Sequence, residues 1–585
     1  MIHFKFSEKD NRLLFLKFDT NEDYQHLLDL KETMNLVDPV CYLPTFQGRE
    51  PFTQDFLFEY RQSSGNIIFY CSIGLWHVIY KWLKKNKIEF DGLNPDDLKR
   101  KLPHNFEDFK KIVDSWNLSK NPRPYQYDAA YKILEWNRSV SELATRAGKT
   151  LISYIVFRYM MEYMGAKRIL MIVPSIDLVK QGFQDFSEYA EFFDTECIWS
   201  GGKVVESSNL SIATFQSIIN YLDPTNKKYN PKFFEKYDVV FVDETHRATA
   251  KSIKTIISQD FVKNLKLLFG MTGTLPKEWT IENYTVHALL GAKIQEITAK
   301  ELQDQNYISN IKIYQHQIEY RNYKKQLDTW IKCAEYAVST FVTKPNENNP
   351  KKKDQIPLQN PEFLIAFKKE FPNALQVAKD TIFRTYSDEY EAKLAYHKTI
   401  VDFIKAIPKT NLLHVENMMV HFFEERIDYL IDLLRFDCVN GNTLVLAEHR
   451  EYIKHVYERV KEAFPERKVL YVIGGSKDRK TVKEQLKTEK DAILIAGYKL
   501  MSTGITLPNL HHGVLFESFK SDVIVTQSLG RGLGLVDGKD YYEVHDITDT
   551  FSPKYATNKI YQQGQERQKI YEKRCYPFEV IKRKL

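Results

Sequence analysis

Twice along the chain, short apolar runs alternate with helical stretches, and this alternation restricts the fold to α/β architectures with a mostly parallel sheet. The first block spans about residues 121–310, with strand candidates Arg168-Ile169-Leu170-Met171-Ile172-Val173, Val239-Val240-Phe241-Val242 and Leu267-Leu268-Phe269-Gly270. The second spans about 440–548 and carries Thr443-Leu444-Val445-Leu446, Lys468-Val469-Leu470-Tyr471-Val472, Ala492-Ile493-Leu494-Ile495 and Gly513-Val514-Leu515-Phe516. Two α/β lobes are therefore expected. A chain of 585 residues has room for them within roughly three or four domains.

Composition excludes several classes. With 43% hydrophobic, 14% aromatic and 27% charged residues, the chain is too rich in core-forming side chains to be disordered and too polar for a membrane protein. Lys+Arg less Asp+Glu is 83 − 77 = +6, which permits an anionic partner without demanding one. The N-terminus carries charges where a secretory signal needs an apolar stretch, and no run approaches about 18 uncharged apolar residues, so neither export nor anchoring is expected. Cys41, Cys71, Cys197, Cys333, Cys438 and Cys575 are scattered with no Cys-x-x-Cys pair, and read as buried or idle thiols of a reducing cytoplasm.

Outside the two blocks, residues 1–118 read as a small α+β module. Phe56-Leu57-Phe58 and Asn66-Ile67-Ile68-Phe69-Tyr70 suggest strands, and a helix follows over 75–87. Its Lys81, Lys84, Lys85 and Lys87 make either a solvated face or a DNA contact. Residues 311–440 read as a linker and a largely helical insertion, with a polar tract at 344–353 and helices over 363–369, 390–406 and 415–434. From about Pro553 the tail carries about nine Lys/Arg against three Glu and reads as a short basic helix.

The chemistry concentrates in a few motifs. Ala144-Thr145-Arg146-Ala147-Gly148-Lys149-Thr150 opens a helical run. A phosphate loop needs backbone N–H groups at a helix N-terminus, a lysine for the β/γ-phosphates and a hydroxyl for Mg²⁺, and Gly148, Lys149 and Thr150 suit those tasks. Leu143 stands where the general pattern has its first glycine. About 95 residues on, Asp243-Glu244-Thr245-His246 ends an apolar strand candidate. One carboxylate there can hold Mg²⁺ through water while the next orients or deprotonates the attacking water. A capped strand end explains one acid but leaves the pairing with the loop a coincidence. Arg123-Pro124-Tyr125-Gln126 precedes the loop, and a Gln amide can read both edges of adenine. Val173-Pro174-Ser175 and Ala213-Thr214-Phe215-Gln216 end strand-like runs where polar groups can meet a phosphate backbone, and Thr272-Gly273-Thr274 follows another. In the second block Ser502-Thr503-Gly504-Ile505 and Gln527-Ser528-Leu529-Gly530-Arg531 stand in similar positions. An arginine there can neutralise charge on a transferring phosphoryl group.

Together these residues resemble superfamily 2 helicases, and most specifically the phage recombination helicases. The likeness runs from about Arg123 to the C-terminus and is strongest in Asp243–Ser252 and Ser502–His512. It implies an α/β fold of two RecA-like P-loop NTPase lobes in tandem, with ATP in the cleft between them. A small α+β N-terminal domain (1–118), lobe one (119–310), the linker and helical insertion (311–440), lobe two (441–550) and a basic C-terminal helix (551–585) complete the expected organisation. The resemblance assigns ATP to Arg123, Gln126, Thr145, Arg146, Ala147, Gly148, Lys149, Thr150 and Gly504, and Mg²⁺ to Thr150 and Asp243. Lys149, Asp243, Glu244, His246, Gln527 and Arg531 would form the catalytic set. Pro174, Thr214, Gln216, Thr272, Thr274 and Thr503 would touch nucleic acid or couple it to nucleotide state, with His246 and Gln527 sharing that coupling. The implied partner is branched or forked DNA, with RNA–DNA hybrid as a further substrate, acted on by a cytoplasmic monomer through branch migration, fork regression or R-loop removal.

Two departures bear on that expectation. The family's second-lobe signature Gln-x-x-Gly-Arg-x-x-Arg here ends in Gly534, so Arg531 alone would supply the finger. This predicts slower hydrolysis than in Gly534→Arg by single-turnover ATPase, and an unchanged or reduced rate in that variant removes the idea. The middle segment is about seventy residues longer than the likeness implies, either a tolerated surface insertion, since long excursions cost little closure entropy, or an added clamp. A nucleic-acid binder that has lost turnover and a restriction-type motor subunit are the two alternatives from other classes.

Overall fold

Strand Val239–Asp243 lies between two parallel neighbours, Ile169–Val173 and Leu267–Thr272, in the computed structural model of the chain. All three are buried almost end to end, so they are apolar at nearly every position, as expected where both faces of a parallel sheet are covered. The structure describes residues 1–7, 12–37, 53–63, 65–198, 208–246, 251–343, 361–406, 412–473, 479–498, 509–519, 521–535, 539, 541–552 and 558–585. The described chain divides into two compact units, Met1–Gln305 and Asn306–Leu585.

In the first unit a seven-stranded parallel sheet runs Thr195–Ile198, Leu210–Thr214, Ile169–Val173, Val239–Asp243, Leu267–Thr272, Arg138–Leu143, Lys293–Ile297. The register pairs Asp243 with Met271 and Thr272 with Glu142, so the ends of three adjacent strands carry the loop, acid and threonine motifs side by side. The N-terminal module is a five-stranded sheet with antiparallel pairing at its centre. Its expected strands form at Leu57–Arg61 and Ile67–Ser72 and its helix at Trp76–Asn86. The module packs on helix Ile281–Leu290: Phe56 meets Tyr284 edge-to-face at 5.3 Å, and a Cβ on Gly74 would stand 1.9 Å from the His287 carbonyl.

The second unit repeats the architecture with the order Lys468–Val472, Ala492–Gly497, Asn442–Ala447, Leu510–Leu515, Tyr541–Thr550, Asn310–Glu319, Phe578–Lys584, every pair parallel. Two parts of it depart from the sequence reading. The stretch read as the start of a linker is strand Asn310–Glu319, held between Tyr541–Thr550 and Phe578–Lys584. The basic tail is a helix, Lys559–Lys573, followed by that last strand. The helix is anchored rather than laid on the surface: Arg567 is fully buried and forms an ion pair with Asp546, 2.6 Å apart. Arg426 makes a second buried pair with Asp549.

The middle helices, Tyr323–Thr343, Pro361–Thr385, Glu389–Ala406, Leu412–Val420 and Glu424–Phe436, share one apolar core with this sheet. Trp330, Tyr396, Ile400 and Ile404 are buried in the same cluster as Val445, Ile493 and Val514. The extra length is therefore core-forming and differs from a surface excursion. The polar tract at 344–353 lies outside the described residues. Among the described residues, no helix is long and apolar enough to cross a membrane.

Candidate nucleotide site

Gly148 ends the loop and caps helix Lys149–Tyr163 with φ 77°, a left-handed conformation that favours glycine. A Cβ there would fall 2.2 Å from Gln126 Nε2, so a side chain would also have to displace that buried amide. The apolar helix behind it, buried at nine positions including Leu151, Ile155 and Phe157, aims its N-terminus and positive dipole end at the loop. Lys149 Nζ lies 3.4 Å from the Leu143 carbonyl, beside the same strand end.

Gln126 closes the loop from outside. It is 4% exposed, accepts from the Arg123 backbone N–H at 2.8 Å and donates from Nε2 to the Ala147 carbonyl at 3.0 Å. One amide hydrogen and one lone pair remain after those two bonds. Tyr125, which the sequence reading quoted but did not assign, donates to the same carbonyl at 2.9 Å. Its signal was its place beside Gln126 in the first turn of helix Pro124–Glu135, where Pro124 opens the helix behind Arg123. Arg146 holds φ 74° within the loop, and Thr145 packs 3.5 Å from where a Cβ on Gly273 would stand.

Asp243 ends its strand and accepts from the Glu244 N–H at 3.0 Å. Glu244 itself has φ 52°, which costs a non-glycine residue on the order of 1 kcal/mol and marks a backbone held for a purpose. Its Oε2 lies 3.3 Å from the Thr272 hydroxyl and 3.4 Å from His246 Nδ1, which is itself 3.0 Å from Thr272 Oγ1. The Thr272 oxygen accepts from Thr274 N–H at 3.3 Å. Burial alone would raise the Glu244 carboxyl. The hydrogen bond with His246, the Lys149 ammonium and Thr272 outweigh it and hold the group down at about 2. Glu244 is thus an ionised carboxylate in a half-buried site, held by His246, the loop lysine and Thr272.

The structure therefore brings together Gln126, the 145–150 loop, Asp243, Glu244, His246, Thr272 and Thr274. Pro174, Thr214 and Gln216 meet elsewhere on the unit, lining one cavity of about 620 Å³ with Asn220, Asn226 and Lys228. In the second unit Gln527 lies half-buried on helix Asp522–Gly530, and Arg531 follows in the turn Arg531–Leu533. Gly534 has φ −64° and ψ 139°, open to any residue, and its carbonyl accepts from Ser309 Oγ at 2.9 Å. Ser502, Thr503 and Gly504, with the rest of 501–508, and Arg247–Ala250 lie outside the described residues.

Two parallel α/β sheets of RecA-like type and a glycine-lysine-threonine helix start beside an Asp-Glu strand end define a class, and the chain resembles an ATP-hydrolysing helicase of superfamily 2. Residues 119–277 match the family described as "Type III restriction enzyme, res subunit". Among characterised proteins the chain is similar to the ATP-dependent DNA helicase uvsW of Enterobacteria phage T4, 26% identical over 462 residues, covering 77% of this chain and 73% of that one. Among solved structures it is similar to T4 UvsW, with 20% identity, a TM-score of 0.40 and coverage of 100% of this chain and 99% of that one. The ATP-dependent Type ISP restriction-modification enzyme LlaBIII bound to DNA matches at 14% identity and a TM-score of 0.48, over 80% of this chain and 32% of that one.

Proposed function

We propose that the chain is an ATP-driven helicase that remodels branched nucleic acid by branch migration, fork regression or removal of RNA from R-loops. The observation that carries the reading is the meeting of Lys149, Glu244, His246 and Thr272 at neighbouring strand ends. A helix N-terminus, an ammonium and a hydroxyl form a donor set suited to a triphosphate, and paired carboxylates suit a hydrated divalent cation. These residues fit Mg²⁺–ATP, with Lys149 on the phosphates and Thr150 and Asp243 on the metal. Mg²⁺ supplies shielding of phosphate oxygens as the terminal phosphoryl leaves.

The chain's own groups do the rest. Glu244 Oε2 orients the attacking water and takes its proton, a task for which an ionised carboxylate is prepared. His246 and Thr272 hold that carboxylate, so a shift at Thr272 or Thr274 is felt at the water. Pro174, Thr214 and Gln216 line a cavity with amide and lysine donors suited to a phosphate backbone. By resemblance Arg531 is assigned to phosphoryl charge neutralisation and Gln527 to coupling nucleotide state to nucleic acid. The division at 118 remains part of this proposal, whereas strands Asn310–Glu319 and Phe578–Lys584 extend the second sheet beyond the expected bounds 441–550.

DNA-stimulated ATPase with Lys149→Ala as control is the test: turnover in the wild type, reduced by at least about 10²-fold in the variant, is expected. Equal rates overturn the site, and no turnover in either leaves a nucleic-acid binder. Strand displacement with forked, four-way and RNA-containing substrates then tests the substrate class. The restriction family match supports a second reading, a motor subunit translocating on unbranched duplex. ATP turnover stimulated by linear duplex, without strand separation on any branched substrate, favours that one.

A further inference from the structure

The second unit holds a cluster that the nucleotide chemistry does not use. His512 lies on strand Leu510–Leu515 and His545 on its parallel neighbour Tyr541–Thr550. The register sets His512 beside Glu543 and Val514 beside His545, so both histidines and Glu543 leave the same face of the sheet. Cys438 lies between helix Glu424–Phe436 and strand Asn442–Ala447. One ligand atom from each of Cys438, His512 and His545 lies within 4.8 Å of the others.

The hydrogen bonding around these rings selects the atoms that face each other. His512 Nε2 lies 2.8 Å from the Val439 carbonyl. A carbonyl only accepts, so Nε2 carries the proton and Nδ1 keeps a lone pair. That Nδ1 is buried with no hydrogen-bond partner, on a residue 6% exposed. His545 uses Nδ1 against His316 Nε2 at 3.0 Å, and His316 Nδ1 in turn meets the Tyr429 hydroxyl at 2.7 Å. His545 Nε2 is likewise buried without a partner, on a residue 3% exposed. Two orphaned ring nitrogens beside a buried thiol call for an explanation, because buried polar atoms are nearly always satisfied. Glu543 Oε2 stands 3.6 Å from His512 Nδ1 and reaches partial exposure.

We propose that Cys438, His512 and His545 form a buried zinc site, with Glu543 or a water in the fourth position, that ties the turn before strand Asn442–Ala447 to two neighbouring strands. One thiolate and two imidazoles suit zinc, whose ligands at about 2.3 Å for sulfur and about 2.0 Å for nitrogen stand within about 4 Å of one another. Binding forms a Zn–S bond through the sulfur electron pair and releases the Cys438 thiol proton to solvent, while both imidazoles bind neutral through lone pairs. The Val439 carbonyl and the His316–Tyr429 pair supply the outer contacts that orient metal-ligating histidines. The nearby trio of His421, His449 and Glu517 differs, since Glu517 Oε1 already engages both rings at 2.7 Å and Oε2 accepts two backbone N–H groups.

The test uses full-length chain without a histidine tag, equilibrated with Zn²⁺, desalted and analysed by plasma mass spectrometry. About one zinc per folded chain is expected. With Co²⁺ instead, a thiolate-to-cobalt charge-transfer band and tetrahedral visible bands should appear. Cys438→Ser should lose the charge-transfer band, and His545→Gln should weaken metal binding by at least about tenfold. Cys575→Ser, at an exposed thiol, and His421→Gln should change neither. Zinc should raise the Tm of the wild type and not of Cys438→Ser. If that variant fails to fold, His512→Asn replaces it, and the wild-type cobalt spectrum needs no variant. A folded wild type with neither stoichiometric zinc nor the cobalt charge-transfer band overturns the site. So does metal content unaffected by the Cys438 and His545 substitutions.

Discussion

Gly148 is the residue on which the loop geometry turns, because two separate constraints meet there. Its φ of 77° penalises any side chain by about 1–2 kcal/mol, and a methyl group would displace Gln126 Nε2 from 2.2 Å away. Gly148→Ala should therefore lower the thermal stability of the first unit by about 2–3 kcal/mol. Gln126→Ala in the same chain removes the clash, so the double variant should lose less than the two single losses added, by about 0.5–3 kcal/mol in a double-mutant cycle. Strict additivity would show that the amide does not pack against the loop. A glycine before a lysine is visible in a sequence, but that Gln126, some twenty residues earlier, occupies the space its Cβ would need is not.

At the level of elements, the N-terminal module is keyed to helix Ile281–Leu290 through two histidines. His77 donates from Nδ1 to the Gly74 carbonyl at 3.1 Å and packs against His287, ring centroids 4.7 Å apart. Burial, then His287 and Lys81, push His77 down to about 3, so it stays neutral in the fold. As pH falls below 6.5 the unfolded chain takes up that proton and the folded one does not. Stability of the first unit is then fully present above pH 6.5 and should decline by about 1.4 kcal/mol per pH unit from this group as pH falls toward 3. His77→Gln should flatten the slope of Tm against pH between 6 and 4, and an unchanged slope would refute the assignment. The C-terminal helix carries a second expectation. Arg567→Met leaves the Asp546 charge buried and should cost about 3–5 kcal/mol in urea unfolding, with part recovered by adding Asp546→Asn. A loss below about 1 kcal/mol would mean a helix lying on the surface.

For the whole molecule, the excess of six positive charges is small for 585 residues, so the proposed function requires nucleic-acid affinity to come from local contacts, for which the lining of the 620 Å³ cavity is the proposed place. Neutralising about six phosphates predicts an affinity for forked DNA that falls by about 10³-fold between 50 and 200 mM salt. Fluorescence anisotropy across that range reads it directly, and a flat response would exclude backbone binding. Lys228→Ala should reduce the slope of log affinity against log salt by about 1 if the cavity holds the strand.

The two lobes, the helix start at Gly148-Lys149 and the strand end at Asp243-Glu244 were legible in the sequence because each is a local pattern. A strand buried on both faces must be apolar throughout, and a helix start that holds phosphate must offer glycine and lysine side by side. Residues 311–319 read as linker because a ten-residue strand that alternates polar and apolar positions gives no hint of the partners it joins, Tyr541–Thr550 and Phe578–Lys584, more than two hundred residues away in the chain. The tail read as a short basic helix, which forms, but charge counts cannot tell a solvated arginine from Arg567 in a buried ion pair. Cys438 read as a buried or idle thiol and is buried, but that His512 and His545 stand beside it follows only from sheet register. Local preference is written in neighbouring residues, whereas the meeting of distant side chains depends on which strands pair and which face they share, and only folding the whole chain decides that.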